Sequence, residues 1–333
     1  MSGAASGDLA AGVARYFSRR ARWRPAEVVF WLLAAGTLFA LPGKHLILAE
    51  IAILGLFALS LDLLLGYAGI ISLGHAAFFG FGAYAAGLFS KHGLIAEPVL
   101  ALLASGVLAA ALGFVTSFLV LRGSDLTRLM VTLGVALVLR ELANRYDWLT
   151  GGADGLQGIT MAPVLGRFAF DIGGHVGYAY SLVVLAVLFF VARRIVHSPF
   201  GIALKSVKSN ALRAAAIGIP VNARLVAIYT VAAAYAGIAG ALLTQITQFC
   251  SLDVFAFDRS ADLLVVLILG GTGYLYGGLV GAVLFKLMQD WLAAITPQYW
   301  QFWIGLVLVA IVLVGRDRMA AWLAAARRAV FRQ

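Results

Sequence analysis

The sequence predicts an all-α, polytopic membrane protein of about ten transmembrane helices, and three observations predict it. Mean hydropathy is +0.96 with only 12% charged residues. Apolar runs recur along the 333 residues, many near the ~20-residue length that spans hydrocarbon. Glycine is used 37 times, and small residues let membrane helices approach closely where lipid gives no hydrophobic drive to pack.

The runs fall at about 28–42, 46–65, 72–90, 97–121, 127–143, 176–195, 223–246, 252–271, 276–295 and 299–315. The first follows a basic tail, residues 1–27, with Arg15, Arg19, Arg20, Arg22 and Arg24. Leu41-Pro42-Gly43 offers no convincing small-residue cleavage site, so an uncleaved first span is expected. The second and third runs flank "GYAGIISLGHAAFFGFGAY" (66–84), where glycines interrupt the apolar pattern. A short turn with Arg122 and Asp125 separates the fourth and fifth runs, and the sixth leads into "SPFGIALKSVKSNALRAAAIGIPV" (198–221). The seventh follows that segment. The eighth and ninth meet at "LGGTGYLYGGLVGA" (269–282), and the tenth enters a basic tail, 316–333.

Charge sets an orientation. Residues 193–224 hold six Lys or Arg and no acid, and the tails carry Arg316, Arg318, Arg327, Arg328 and Arg332 at one end and the N-terminal arginines at the other. The opposite loops, 91–97 and 144–175, are nearly balanced. Lys and Arg mark the cytoplasmic side, so both termini and 198–221 are expected in the cytoplasm and 150–160 outside.

The two glycine-broken regions stand at related places in the halves, the pattern expected of a pathway built on inverted repeats. Gly66, Gly69, Ser72, Gly74 and His75 in the first, and Gly270, Gly271, Gly273 and Gly277 in the second, are the pathway candidates. Close helix packing explains the same glycines, as in the GxxxG spacing of Gly277 and Gly281.

Several classes find no foothold. No GxxxxGK[ST] loop exists to cradle a nucleotide phosphate, the five histidines have no HExxH or Cys/His spacing, and Ser72 does not fit GxSxG. No catalytic residue, metal or cofactor is expected. The net charge of +10 lies in juxtamembrane segments without aromatic interleaving, so nucleic acid is not an expected partner. Cys250 is the single cysteine, which excludes an internal disulfide. Ionisable groups inside the apolar runs, Glu50, Asp62, Arg140, Glu141, Asp258, Arg259 and Asp262, each need a partner, a wet cavity or an interfacial depth.

Segment 198–221 reads as two short helices. Ser198 suits an N-cap and Pro199 the first helical position, after which Phe200, Ala203, Leu204 and Val207 form one apolar stripe with Lys205 and Lys208 off it. Asn210 caps a second helix with Leu212, Ala215 and Ala216 in register, ended by Gly218 and Pro220. Such a segment either lies on lipid or docks on a partner. Without an ATPase in the chain, docking is the sharper expectation.

The motifs "LLLGYAGIISLGHAAFFGFGAYAAGL" (63–88), "TGGADGLQGI" (150–159), "SPFGIALKSVKSN" with "AIGIPV", and "LLVVLILGGTGYLYGGLVGAV" (263–283) resemble, in order, those of branched-chain amino acid ABC transporter permeases of the LivM type, from about 46 to 315. The resemblance implies a bacterial inner-membrane permease subunit of an ATP-driven importer. Its partners would be a second permease of LivH type, two cytoplasmic ATP-binding subunits and a periplasmic substrate-binding protein. Related permeases for urea or short amides share these motifs, and a self-sufficient secondary transporter or channel would also explain the broken helices. Segment 198–221 would seat on an ATP-binding subunit, with Phe200, Leu204, Lys205, Val207 and Lys208 as the coupling residues. Ile70 stands where many members carry Gln, and Ser209-Asn210-Ala211 where acids are common, which leaves Phe200, Lys205 and Lys208 as the contact candidates.

Overall fold

The computed structural model describes residues 25–314 apart from Ile172; the arginine-rich tails singled out above lie outside the described residues. Each apolar run falls on a helix. In chain order these are α1 (Pro25–Ala40), α2 (His45–Asp62, continued by a π-helical turn Leu63–Ala68), α3 (Ala76–Lys91), α4 (Pro98–Val120), α5 (Asp125–Arg145), α6 (His175–Val196), α7 (Pro199–Ser209), α8 (Ala211–Ala216), α9 (Val221–Thr247), α10 (Phe257–Gly270), α11 (Leu275–Ile295) and α12 (Trp300–Val314). The chain is an all-α polytopic membrane protein; among the described residues the only extended pairings are isolated bridges, Leu156 with Cys250 and Val164 with Phe168. Among the described residues, five helices are long and apolar enough to cross a membrane: α2 with its π-turn, α4, α6, α9 and α11.

The core forms around α9, where Ala232, Ala233, Ala236, Ala239, Ala241 and Leu242 are buried on nearly all sides. A helix apolar all round belongs inside a bundle, and these small residues let α3 and α4 lie directly along it. At Gly237 and Gly240 a side chain would strike α4 or the carbonyl of Phe79.

The helix contacts repeat. α9 packs along α4 as α2 packs along α11, the α3/α4 pair matches α10/α11, and α5 leans on α3 and α4 as α12 leans on α10 and α11. The two blocks run in opposite senses. The C-terminal end of α2 meets α7, which leads through α8 into the start of α9, so α2 and α9 are antiparallel. At the other end, Gln245 near the end of α9 donates to the Pro98 carbonyl at the start of α4 at 2.7 Å.

This register revises one expectation. The mate of the break after α2 is the stretch 248–256 after α9, because each joins a long helix to the short helix that follows. The glycine turn between α10 and α11 corresponds instead to the α3–α4 loop. The two glycine regions are therefore neighbours in space rather than symmetry mates, which the sequence pattern alone did not separate.

Candidate functional site

At the end of the bundle bearing Lys208, three elements meet. α2 does not stop at Asp62: residues 63–68 wind wider, Gly69 turns left-handed at φ 76°, and the chain then runs unwound to His75. A π-turn loosens the i→i−4 ladder and frees backbone groups for other partners. Lys208 on α7 uses one, its Nζ donating to the Gly66 carbonyl at 2.7 Å, and the lysine stem covers Gly69. Lys205, one turn earlier, lies over the Tyr67 ring at 5.1 Å.

The third element is the α10–α11 turn. Gly271 and Gly273 have φ of 100° and 79°, backbone that side-chain-bearing residues rarely adopt. Between these turns the Gly273 amide donates to Asp62 Oδ1 at 2.7 Å. Lys208 lies within electrostatic range of the same carboxylate, while Asp62 Oδ2 is buried without a hydrogen bond among the described residues. A side chain at Gly66 would collide with Asp62 and with the Gly273 amide, so that position keeps two backbones in touch. Asp62 and Lys208 thus join α2, the α10–α11 turn and segment 198–221 in one network.

Deeper in the bundle, the unwound stretch 69–75 finds other partners. The Leu73 amide donates to Thr132 Oγ1 on α5 at 3.3 Å, and the Ala76 amide, opening α3, donates to Ser260 Oγ near the start of α10 at 3.0 Å. Irregular backbone at membrane depth survives when protein satisfies it in this way. Ser60 Oγ donates to the Phe57 carbonyl at 2.6 Å, and His75 Nε2 lies 2.8 Å from Ser60 Oγ. With that hydroxyl proton used, the network assigns the proton to Nε2; Nδ1 and the buried Ser72 hydroxyl have no hydrogen-bond partner among the described residues. Two short helices therefore start facing each other, with Ser72 and His75 beside the junction.

The family model described as branched-chain amino acid transport system / permease component matches residues 45–312. The chain belongs to that permease family. It is 28% identical over 261 residues to the high-affinity branched-chain amino acid transport system permease protein LivM of Escherichia coli K12, covering 71% of this chain and 61% of the relative. It is 29% identical to the LivM protein of Salmonella typhimurium LT2, with the same coverage. The chain thus spans about three-fifths of the length of the curated relatives it matches. No solved structure matches it.

Within this permease, the residues singled out in the sequence separate into three places. Gly66, Gly69, Gly271 and Gly273 gather at the Lys208 junction. Gly270 and Gly277 face each other across the α10–α11 hairpin as a packing contact. Ser72, Gly74 and His75 lie deeper. The stripe of α7 is turned inward: Leu204 and Val207 are buried in the chain's own core and cannot be the face offered to a partner. Phe200 is half-buried beneath Arg224, 5.3 Å away. Leu212 and Ile217 instead stand 84% and 74% exposed. Ser198 occupies the cap position of α7, but its hydroxyl donates back to the Ile195 carbonyl; Asn210 caps α8 as expected, its Oδ1 accepting from the Arg213 amide at 2.9 Å.

Other lone charges found partners the sequence reading did not assign. Glu50 pairs with Lys286 of α11 at 2.7 Å, with Asp290 at 3.6 Å on the same ammonium, and Glu27 pairs with Arg193. An isolated acid and an isolated base in separate apolar helices were the available signal.

Proposed function

We propose that this chain is the membrane-spanning permease subunit of an ATP-driven importer for branched-chain or related amino acids. The observation that carries the proposal is the Lys208–Gly66 hydrogen bond, which ties an amphipathic segment between helices to a broken membrane helix. The family to which the chain belongs supports the same reading. Segment 198–221 contacts an ATP-binding subunit on the cytoplasmic side, through Leu212, Ile217 and the exposed edge of Phe200. Lys205 and Lys208 act on the other side of the segment, gripping the π-turn of α2. Displacement of 198–221 by the closing ATPases shifts the Gly66 carbonyl. Asp62 carries the shift to the α10–α11 turn, and the left-handed glycines on both turns absorb the change in backbone angle. The bundle then alternates access around the facing starts of α3 and α10, while hydrolysis itself belongs to the partners.

The chain sits in the bacterial inner membrane with both termini cytoplasmic; the positive-inside bias supports the orientation and the permease family supports the membrane. A second permease of LivH type and a periplasmic binding protein complete the assembly. The test is uptake of radiolabelled L-leucine by right-side-out membrane vesicles carrying the complete transporter and loaded with ATP. Uptake that needs internal ATP and persists after collapse of the proton gradient is expected. Uptake that stops when the gradient collapses, with ATP still present, would identify a secondary transporter instead.

A further inference from the structure

At the opposite end of the bundle the last turns of α5 border a recess of about 530 Å³, lined by Leu137, Arg140, Glu141, Asn144, Ala153 and Leu252. The side chains of Arg140 and Glu141 form no ion pair or hydrogen bond among the described residues. Both residues are exposed, on a helix whose buried residues are Thr132, Ala136 and Ala143 alone, so neither charge is answered by the chain's own core. Lipid is a poor environment for either. Leu252, at the recess, opens the short 3-10 turn Leu252–Phe255, whose Phe255 stacks on Tyr84 of α3 at 5.5 Å. That turn leads directly into α10, whose Ser260 meets the start of α3.

We propose that this recess is an outer acceptor site for a zwitterionic α-amino acid with an aliphatic side chain. The proposal rests on the amino-acid importer reading above and extends it to named residues. A guanidinium receives a carboxylate through two parallel N–H donors, and Arg140 supplies one. The Glu141 carboxylate receives the ammonium, Asn144 adds polar capacity, and Leu137 and Leu252 offer apolar surface to the side chain. Adjacent opposite charges without partners of their own are matched by a ligand that carries both signs a few bonds apart. A neutral amide or a simple carboxylate answers only one of them.

The test is saturation-transfer NMR on the full chain in lipid nanodiscs, with L-leucine, leucinamide and 4-methylpentanoate as probes. The wild type should transfer saturation to L-leucine and little to leucinamide, which lacks the carboxylate, or to 4-methylpentanoate, which lacks the ammonium. Arg140→Gln and Glu141→Gln should each weaken the leucine effect roughly tenfold or more. The analogue arm uses wild-type protein and is independent of any variant's folding. No transfer to leucine on the wild type, equal transfer to leucinamide, or full transfer in both variants would overturn the proposal. So would variants that keep the leucine effect but lose co-purification with a second permease, since α5 would then be a subunit interface. Each of these results leaves the ATP-driven uptake test standing and readable by itself.

Discussion

Asp62 Oδ1 and the backbone amide of Gly273 meet at 2.7 Å across 211 residues of sequence. A buried carboxylate at the end of α2 thereby closes a hydrogen bond that a left-handed glycine turn leaves open. Removing the acceptor orphans that amide, at a cost of roughly 1–3 kcal/mol. Asp62→Ala should therefore melt earlier in detergent than wild type, whereas Asp62→Asn, whose side-chain oxygen still accepts, should melt close to it. Equal melting of wild type and Asp62→Ala would show that the contact contributes nothing.

Gly271 at φ 100° sits where a Cβ is strained by about 1–3 kcal/mol. Gly271→Leu should reduce uptake more than Leu269→Ala, although the second removes more apolar surface. Full uptake by Gly271→Leu at normal expression would make the turn incidental.

Segment 198–221 has two sides with opposite expected phenotypes. Leu204 is fully buried, so Leu204→Ala should destabilise the permease by about 2–5 kcal/mol. Leu212→Ser should leave melting unchanged and weaken co-purification of the ATP-binding subunits. Phe200→Ala should do some of both, because its ring is half-buried under Arg224. A Leu212→Ser complex recovered at wild-type yield would remove α8 from the docking face.

How much of this was legible in the sequence follows from what each feature depends on. The apolar runs and the cap at Asn210 are local, and helices stand where they were read. The stripe on α7 was also correctly phased, but periodicity gives a face and not its neighbour; the core of the same chain covers Leu204 and Val207. Asp62 and Glu50 announced themselves as lone charges in apolar helices, but the partner of Glu50, Lys286, was not singled out, and the partner of Asp62 is a backbone amide that carries no residue signature. The π-turn at 63–68 left only Gly66 as a trace, and a glycine marks a weak point in a helix without saying that the helix widens there.

Orientation is checked by impermeant cysteine labelling in a Cys250→Ala background. A cysteine at Gln157 should react from outside intact spheroplasts and one at Ser209 should not. The reverse pattern would place 198–221 outside and end its role with the ATPases.

The central claim is that Lys208 transmits motion between 198–221 and the broken helix, and it is tested by the ratio of ATP hydrolysed to L-leucine imported in proteoliposomes holding the complete transporter. Lys208→Met keeps the stem that covers Gly69 and removes the donor to Gly66, a charge-assisted bond of roughly 1.5–3 kcal/mol. The account predicts continued hydrolysis with uptake reduced roughly tenfold or more, a correspondingly higher ratio, and recovery toward wild type in Lys208→Arg. An unchanged ratio in Lys208→Met, in a transporter assembled at wild-type yield, would contradict it.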